Sequence, residues 1–243
     1  MNHLKTILSV MVLMLTFSCT KNSVEGNGQV SFALSSNLEI ADQTRSSVSQ
    51  FTSLPNSGDF IITVKDASGA TVWTGKLSEW DAATLLPVGK YTATATYGNL
   101  EEEGFDKPFF TGSSSFTVAG AQTTKVSITV SLGNTVILIN CTENFRKYYE
   151  DYTFTLVRDN ATIATFVKGE TKAAFVDGYK ITLQGTVKSY TKTQSFSKEY
   201  TNLNEATAYT VVFDAANVGG GTVTISFNNS VETVQLGDVE LND

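Results

Sequence analysis

Few residues in this 243-residue chain have the type and spacing that chemistry requires. The only histidine is His3, so beyond the first few residues neither a Ser-His-Asp nor a Cys-His arrangement can be assembled, and most zinc sites fall with them. Cys141 closes the apolar run Val136-Ile137-Leu138-Ile139-Asn140-Cys141, the setting of a buried strand thiol rather than of a nucleophile. Glu101-Glu102-Glu103 with Asp106 offers the oxygen ligands that calcium takes, but lacks the spacing of an EF-hand loop, and three adjacent glutamates are usual in a solvated turn. No motif singles out a carboxylate pair for glycoside hydrolysis. The expectation is a protein that is not an enzyme and that holds no cofactor and no metal.

Binding needs less. A sugar ring stacks on an exposed aromatic face, and the candidates are Trp80, in the polar stretch Ser78-Glu79-Trp80-Asp81, with Tyr148, Tyr149 and Tyr190. Trp73, in Thr71-Val72-Trp73-Thr74, reads instead as a strand residue turned to the core. Two rings coplanar on one open face would mark a glycan site, whereas a removable edge strand would mark an assembly site.

The first segment bears on the compartment. Met1-Asn2-His3-Leu4-Lys5 is a short basic stretch, and Ile7 to Phe17 is almost uninterruptedly apolar. Eleven helical residues reach about 17 Å, too short for a hydrocarbon core of about 30 Å, so the segment reads as a secretory signal at residues 1–18. Leu15-Thr16-Phe17-Ser18-Cys19 resembles the lipobox of bacterial lipoproteins, although Thr16 stands where leucine is usual. The resemblance implies that Cys19 carries acyl chains, and two or more of these anchor stably where one does not. The other reading is an ordinary signal with an accidental cysteine. The polar stretch Thr20 to Gly28 favours the anchor, as a tether over residues 19–28.

Removing residues 1–18 leaves 16 basic and 24 acidic side chains, a net of −8, and an acidic surface argues against a nucleic-acid partner. Period-2 alternation runs through nearly all the rest and long helical periodicity is absent. Val30, Phe32 and Leu34 alternate with polar or small residues, as do Phe60, Ile62 and Val64, and Tyr91, Ala93, Ala95 and Tyr97. Tyr152, Phe154 and Leu156, then Tyr179, Ile181 and Leu183, and finally Val223, Ile225 and Phe227 extend the pattern. Threonine fills many outward positions, and turn signals such as Asp66-Ala67-Ser68-Gly69 and Leu86-Pro87-Val88-Gly89 separate the runs. The chain is therefore expected to be all-β, with two antiparallel sandwiches at 29–132 and 134–243 that meet at Gly133-Asn134 with almost no linker. Expected core residues are Val64, Tyr91, Ala95, Val126 and Ile128 in the first, and Phe154, Leu183, Phe213 and Ile225 in the second. Helical turns are expected only at Leu77 to Thr84 and Glu143 to Glu150, and Ile40 to Asn56 reads as a long exposed loop.

Asp59-Phe60-Ile61-Ile62-Thr63-Val64, with Asp66 and Gly69, opens a longer pattern. Leu86-Pro87-Val88-Gly89-Lys90-Tyr91-Thr92, Ala95-Thr96-Tyr97-Gly98, Phe105-Asp106-Lys107-Pro108-Phe109-Phe110-Thr111-Gly112 and Phe116-Thr117-Val118 continue it. Over roughly residues 28–185 this ordered set resembles the lipoproteins of Bacteroides-type bacteria grouped as domain of unknown function 4493. The resemblance implies an outer-membrane or cell-surface lipoprotein of the envelope with two tandem immunoglobulin-like sandwiches, loosely similar to fimbrillin and adhesin subunits. No catalytic residues come with the family. Tyr91 resembles the corner tyrosine of immunoglobulin-like domains, whose hydroxyl bonds to nearby backbone.

The function expected is a non-catalytic structural or adhesive subunit, fimbrillin-like, or an accessory protein; the alternative is a glycan-binding surface lipoprotein of a polysaccharide uptake system. Its partners would be the membrane through the lipid anchor, other envelope or fimbrial proteins, and glycans. Arg45, one of three arginines, lies among the small polar residues of Asp42-Gln43-Thr44-Arg45-Ser46-Ser47, where a protease can reach. Fimbrillin-type precursors resemble this layout, and the resemblance implies that an arginine-specific protease could remove the lipidated stretch together with Gln29 to Ser36. A solvated residue in an exposed loop is the other reading of Arg45.

Overall fold

The computed structural model describes residues 26–36, 48–190 and 192–215, and the backbone alone of 222–227 and 230–235. The signal segment at 1–18, Cys19, Arg45 and the side chain of Ile225 lie outside the described residues.

Alternation of apolar and polar residues sets which side chains go inward, and the strands follow it. In the first half these are β1 (Asn27–Ser36), β2 (Ile61–Asp66), β3 (Thr71–Lys76), β4 (Leu85–Pro87), β5 (Gly89–Tyr97), β6 (Gly104–Phe105), β7 (Phe110–Val118) and β8 (Thr123–Leu132). Seven of them form one sheet in the order β3-β2-β5-β7-β8-β1-β4. Strands β7 and β8 pair at only two positions, Phe110 with Leu132 and Thr111 with Ser131, so the sheet folds there into two layers. Between the layers Val30, Ile62, Val64, Tyr91, Ala93, Ala95, Val126, Ile128 and Val130 make one core, which includes all five of the expected residues. The reversal at Pro87-Val88-Gly89 carries the chain from β4 in one layer to β5 in the other. The Tyr91 hydroxyl donates to the Pro87 carbonyl at 2.8 Å, as the corner-tyrosine resemblance implied.

The second half contains β9 (Thr135–Cys141), a short helix α1 (Glu143–Tyr148), β10 (Asp151–Arg158), β11 (Ala161–Val167), β12 (Ala174–Val176), β13 (Lys180–Lys188), β14 (Thr193–Thr201), β15 (Ala208–Ala215), β16 (Thr222–Phe227) and β17 (Ser230–Gln235). A four-stranded sheet, β11-β10-β13-β14, faces a six-stranded one, β17-β16-β15-β9-β12-β6. Thr142 caps α1 by accepting from the Phe145 amide at 3.2 Å, and Phe145 drops into the core. There Phe154 stacks on Phe213 with ring centroids 4.0 Å apart, and Leu183 is fully buried beside them.

Several sequence expectations change in detail. The sandwiches are not purely antiparallel, because β1 runs parallel to β8 and β9 parallel to β15. Each pair is joined through the body of its domain, and a parallel pair needs only such a long connection. Strand β1 already starts at Asn27, inside the stretch read as tether. The span Ile40 to Asn56 is not all exposed, since Val48 is buried in the core from a 3₁₀ turn at Val48–Gln50. Tyr179, read as inward, is 79% exposed in the turn before β13. Leu77 to Thr84 holds a 3₁₀ turn, Leu77–Glu79, and a hydrogen-bonded turn from Asp81 to Thr84 rather than a helix.

The junction is more than a short linker. Strand β8 ends at Leu132 and β9 begins at Thr135, but β6, which belongs to the first half by sequence, pairs with β12 in the second-half sheet, Phe105 opposite Ala174 and Gly104 opposite Phe175. Gly104 adopts φ +120°, and a Cβ there would lie 2.8 Å from the Ile163 carbonyl oxygen, so only glycine serves. The Phe105 ring meets Phe166 edge-on at 4.9 Å. In return Ala173, Phe175 and Val136 turn into the first core, while Ala174, Val176 and Ile137 turn into the second. The acidic run forms the exposed turn expected at Glu101 and Glu102, and three of its four carboxylates are paired with cations. Glu102 pairs with Lys107 at 2.8 Å, Glu103 with Arg158 at 2.6 Å and Asp106 with Lys172 at 2.6 Å. Glu103 also accepts the Asp177 amide at 2.6 Å, and Arg158 donates to the carbonyls of Lys180 and Asp177.

Truncating Phe154 or Phe213 to alanine is expected to cost about 3–5 kcal/mol in chemical denaturation, since each leaves a cavity beneath a stacked partner. Across the junction, Glu103 and Arg158 are only 13% and 23% exposed, against 66% and 56% for Asp106 and Lys172. Glu103→Ala should therefore cost about 1–3 kcal/mol, because it strands a guanidinium and a backbone amide. Lys172→Ala should cost less than about 1 kcal/mol. A urea titration of each variant checks the order, and equal losses would show that the inner pair is no stronger than the outer one.

Candidate functional site

The element that stands apart is β1, Asn-Gly-Gln-Val-Ser-Phe-Ala-Leu-Ser-Ser. One edge pairs with β8 in parallel register from Gln29 opposite Thr123 to Ser36 opposite Val130. The other edge is covered by β4 only from Asn27 to Gln29. Beyond it, the carbonyl of Val30 accepts the Trp80 indole N–H at 2.9 Å, and no described strand pairs with Ser31 to Ser36 on that side. Its inward side chains are held by aromatic rings. Phe32 meets Trp80 edge-on at 4.9 Å and Phe116 at 6.0 Å, and Trp80 in turn meets Trp73 at 4.8 Å. At the far end of the strand Leu34 and Ser36 border a groove of about 120 Å³, lined also by Leu54, Phe60, Phe110 and Val130.

Two kinds of contact hold β1 in this seat, backbone pairing along one edge and apolar packing at alternate residues. The seat offers eight backbone positions on β8 and apolar holes at every second residue, and any strand with that alternation satisfies both demands. The sequence suggested the inward residues of β1. It gave no sign that Trp80, fifty residues away, would bond the strand's backbone, because nothing local to Ser78-Glu79-Trp80-Asp81 marks a long-range donor.

The aromatic candidates for sugar stacking do not come together. Trp80 is half-buried in the first core, enclosed by Trp73 and Phe32. Tyr149 is only 2% exposed, packed on Phe145 at 4.6 Å, so it has no free ring face and the expectation for it is corrected. Tyr148 meets Tyr149 edge-on at 4.8 Å and its hydroxyl is buried. Among the described residues the most exposed rings, Tyr179 and Tyr190, flank opposite ends of β13, about 35 Å apart along the strand, too far to stack on one sugar ring. Cys141 is buried, and that burial pushes its thiol up to about 11, so the thiolate a nucleophile needs is suppressed. A polar cleft of about 440 Å³ lies beside the junction, between Thr52, Ser53, Tyr97, Asn99, Glu102, Asp106 and Lys107; Glu102 is paired with Lys107 inside it and Asp106 with Lys172.

No curated protein matches this sequence. Among solved structures, a fimbrial assembly protein from Parabacteroides distasonis superposes with a TM-score of 0.51 at 8% identity, covering 86% of this chain and 100% of that one. A candidate polysaccharide-binding protein from Bacteroides thetaiotaomicron gives 0.49 at 12% identity, covering 86% and 98%. A candidate cell adhesion protein from Bacteroides ovatus gives 0.48 at 13%, covering 90% and 100%. At such identities the first of these speaks to the fold alone. The model of the family described as Domain of unknown function (DUF4493) matches residues 26–242, from the start of β1 past the end of β17 and well beyond the span over which the sequence patterns were read. The chain belongs to the DUF4493 family.

Proposed function

We propose that the protein is a non-catalytic, lipid-anchored subunit or accessory protein of a bacterial surface assembly, of the structural or adhesive kind, and that it joins its neighbours through the seat of β1. The observation that carries this reading is the asymmetry of β1. The strand is paired with β8 from Gln29 to Ser36 on one side, whereas on the other no described strand covers Ser31 to Ser36, and it ends nine residues before Arg45 in sequence. Cleavage after Arg45 would free β1 from the rest of its domain. The seat would then present unpaired backbone on β8 and an apolar furrow above Val126, Ile128 and Val130, which a strand from a neighbour covers by β-augmentation. A role in assembly is also that of the Parabacteroides distasonis fimbrial assembly protein, which shares the fold. The anchor would be Cys19 at the outer membrane, and the tight junction would pass force between the domains.

Two experiments test the two halves of this reading. An arginine-specific protease should cut the purified precursor after Arg45. Added peptide spanning Asn27 to Ser36 should then compete with oligomers that form from the cut protein in size-exclusion chromatography. A cut product that stays monomeric with β1 still bound would overturn strand exchange. Metabolic labelling with a fatty-acid analogue should mark the wild type and leave Cys19→Ala unmarked, and equal labelling of both would remove the anchor.

A further inference from the structure

The four-stranded layer of the first domain turns one face to its core and the other to solvent. Its outward positions follow from the pairing register. One rank across the sheet is Thr74, Thr63, Thr94 and Ser113; on one side of it lies the rank Lys76, Ile61, Thr96 and Thr111, and on the other Thr71, Lys65, Thr92 and Ser115, with Lys90 and Thr117 beyond. Hydroxyls meet across the strands, Thr63 with Thr74 at 3.1 Å and Thr92 with Ser115 at 3.2 Å. Strand spacing of about 4.8 Å and a same-face repeat of about 6.8 Å array these donors and acceptors across the sheet, with the register shifting once between Val64 and Lys65.

Its charge is opposite in sign to that of the chain as a whole. The chain carries a formal net charge of −7, yet the charged residues of these ranks are Lys65, Lys76 and Lys90, with no carboxylate among them. Lys76 leans on Asp59 at the rim, 3.5 Å away, and Lys65 and Lys90 make no ion pair among the described residues. Nearby carboxylates are turned elsewhere. Asp66 holds the following turn through the Ser68 and Ala70 amides, and Glu79 accepts the Lys76 amide. The corresponding layer of the second domain has mixed charge instead, with Lys180 paired to Glu199 at 2.7 Å across β13 and β14.

We infer that this face is a docking surface for an anionic polysaccharide. The three ammonium groups supply the charge complementarity, and the hydroxyl ranks match a polymer whose own surface is hydroxyl groups. A protein partner fits poorly, because protein interfaces concentrate aromatic side chains at their centre and are depleted in serine and lysine; no ring lies in these ranks. The surface is separate from the seat of β1 and works whether or not that strand leaves.

Affinity electrophoresis of the full mature chain tests it, in gels containing polygalacturonate or chondroitin sulfate, with dextran as the neutral control. Retardation is expected in at least one anionic gel and not in dextran, weakening as salt rises. Lys65→Gln with Lys90→Gln should raise the apparent Kd at least about fivefold, on the scale of exposed charge contacts. Thr63→Glu with Thr94→Glu should abolish binding, while Thr155→Glu with Thr186→Glu on the second-domain layer should leave it unchanged. Far-UV spectra and unfolding midpoints confirm that each variant is folded. No retardation of the wild type, equal retardation in dextran, or indifference to the first-domain substitutions would overturn the inference. So would a dimer in sedimentation that those substitutions dissolve, since the face would then serve a second copy of the chain.

Discussion

Everything in this molecule is arranged around one wall, the short sheet formed by β9, β12 and the end of β15. Its residues alternate between two cores rather than between a core and water. On β12, Ala174 and Val176 serve the second domain while Phe175 serves the first, and on β9 Val136 and Ile137 divide in the same way. A strand buried on both faces cannot spare polar side chains, which is why Thr135 to Ile139 and Ala173 to Val176 read as nearly continuous apolar runs. Sharing the wall couples the domains, because separating them would expose apolar surface on both sides of it.

Strand β6 and the pair Glu103–Arg158 close this wall from the first domain's side. The pairing is only two residues long, so its ladder alone would hold little. It is supplemented by Phe105 against Phe166 and by a guanidinium that serves Glu103 and two carbonyls at once. Arginine suits this position because its rigid fork reaches three acceptors without rearranging, which an ammonium could not do. The junction is thus secured at the wall, in the loop at 98–109 and around Asn134, whose side-chain oxygen accepts the Phe109 amide and whose carbonyl accepts the Ala206 amide.

Both domains place an early strand parallel to a late one, β1 beside β8 and β9 beside β15. In the second domain that early strand is locked, since β9 lies between β12 and β15 and both its edges are used. In the first domain the second edge of the equivalent strand pairs, among the described strands, only with the three-residue β4, and an indole bonds one more carbonyl. The same architectural position is thus permanent in one domain and nearly an edge in the other. That difference, rather than any special residue in β1, makes the first domain the candidate for exchange.

The period-2 pattern by itself determined the all-β class, the strands flanking Gly133-Asn134 and most of the core, because burial on one face of a strand is written locally in alternate residues. It also determined what chemistry is absent, since a chain without histidine beyond His3 cannot assemble what histidine supplies. The bond of the Tyr91 hydroxyl to nearby backbone followed from the corner-tyrosine resemblance, and the structure supplies its acceptor, the Pro87 carbonyl four residues earlier. Only the tertiary structure decided the rest. The exposure of an aromatic depends on what packs over it from elsewhere, so Tyr149 became core and Tyr179 became surface against expectation. The parallel ladders, the transfer of β6 to the neighbouring sheet and the pairing of Glu103 with Arg158 join residues dozens of positions apart. No local pattern encodes such partners, because the contact exists only once two separately formed surfaces have met.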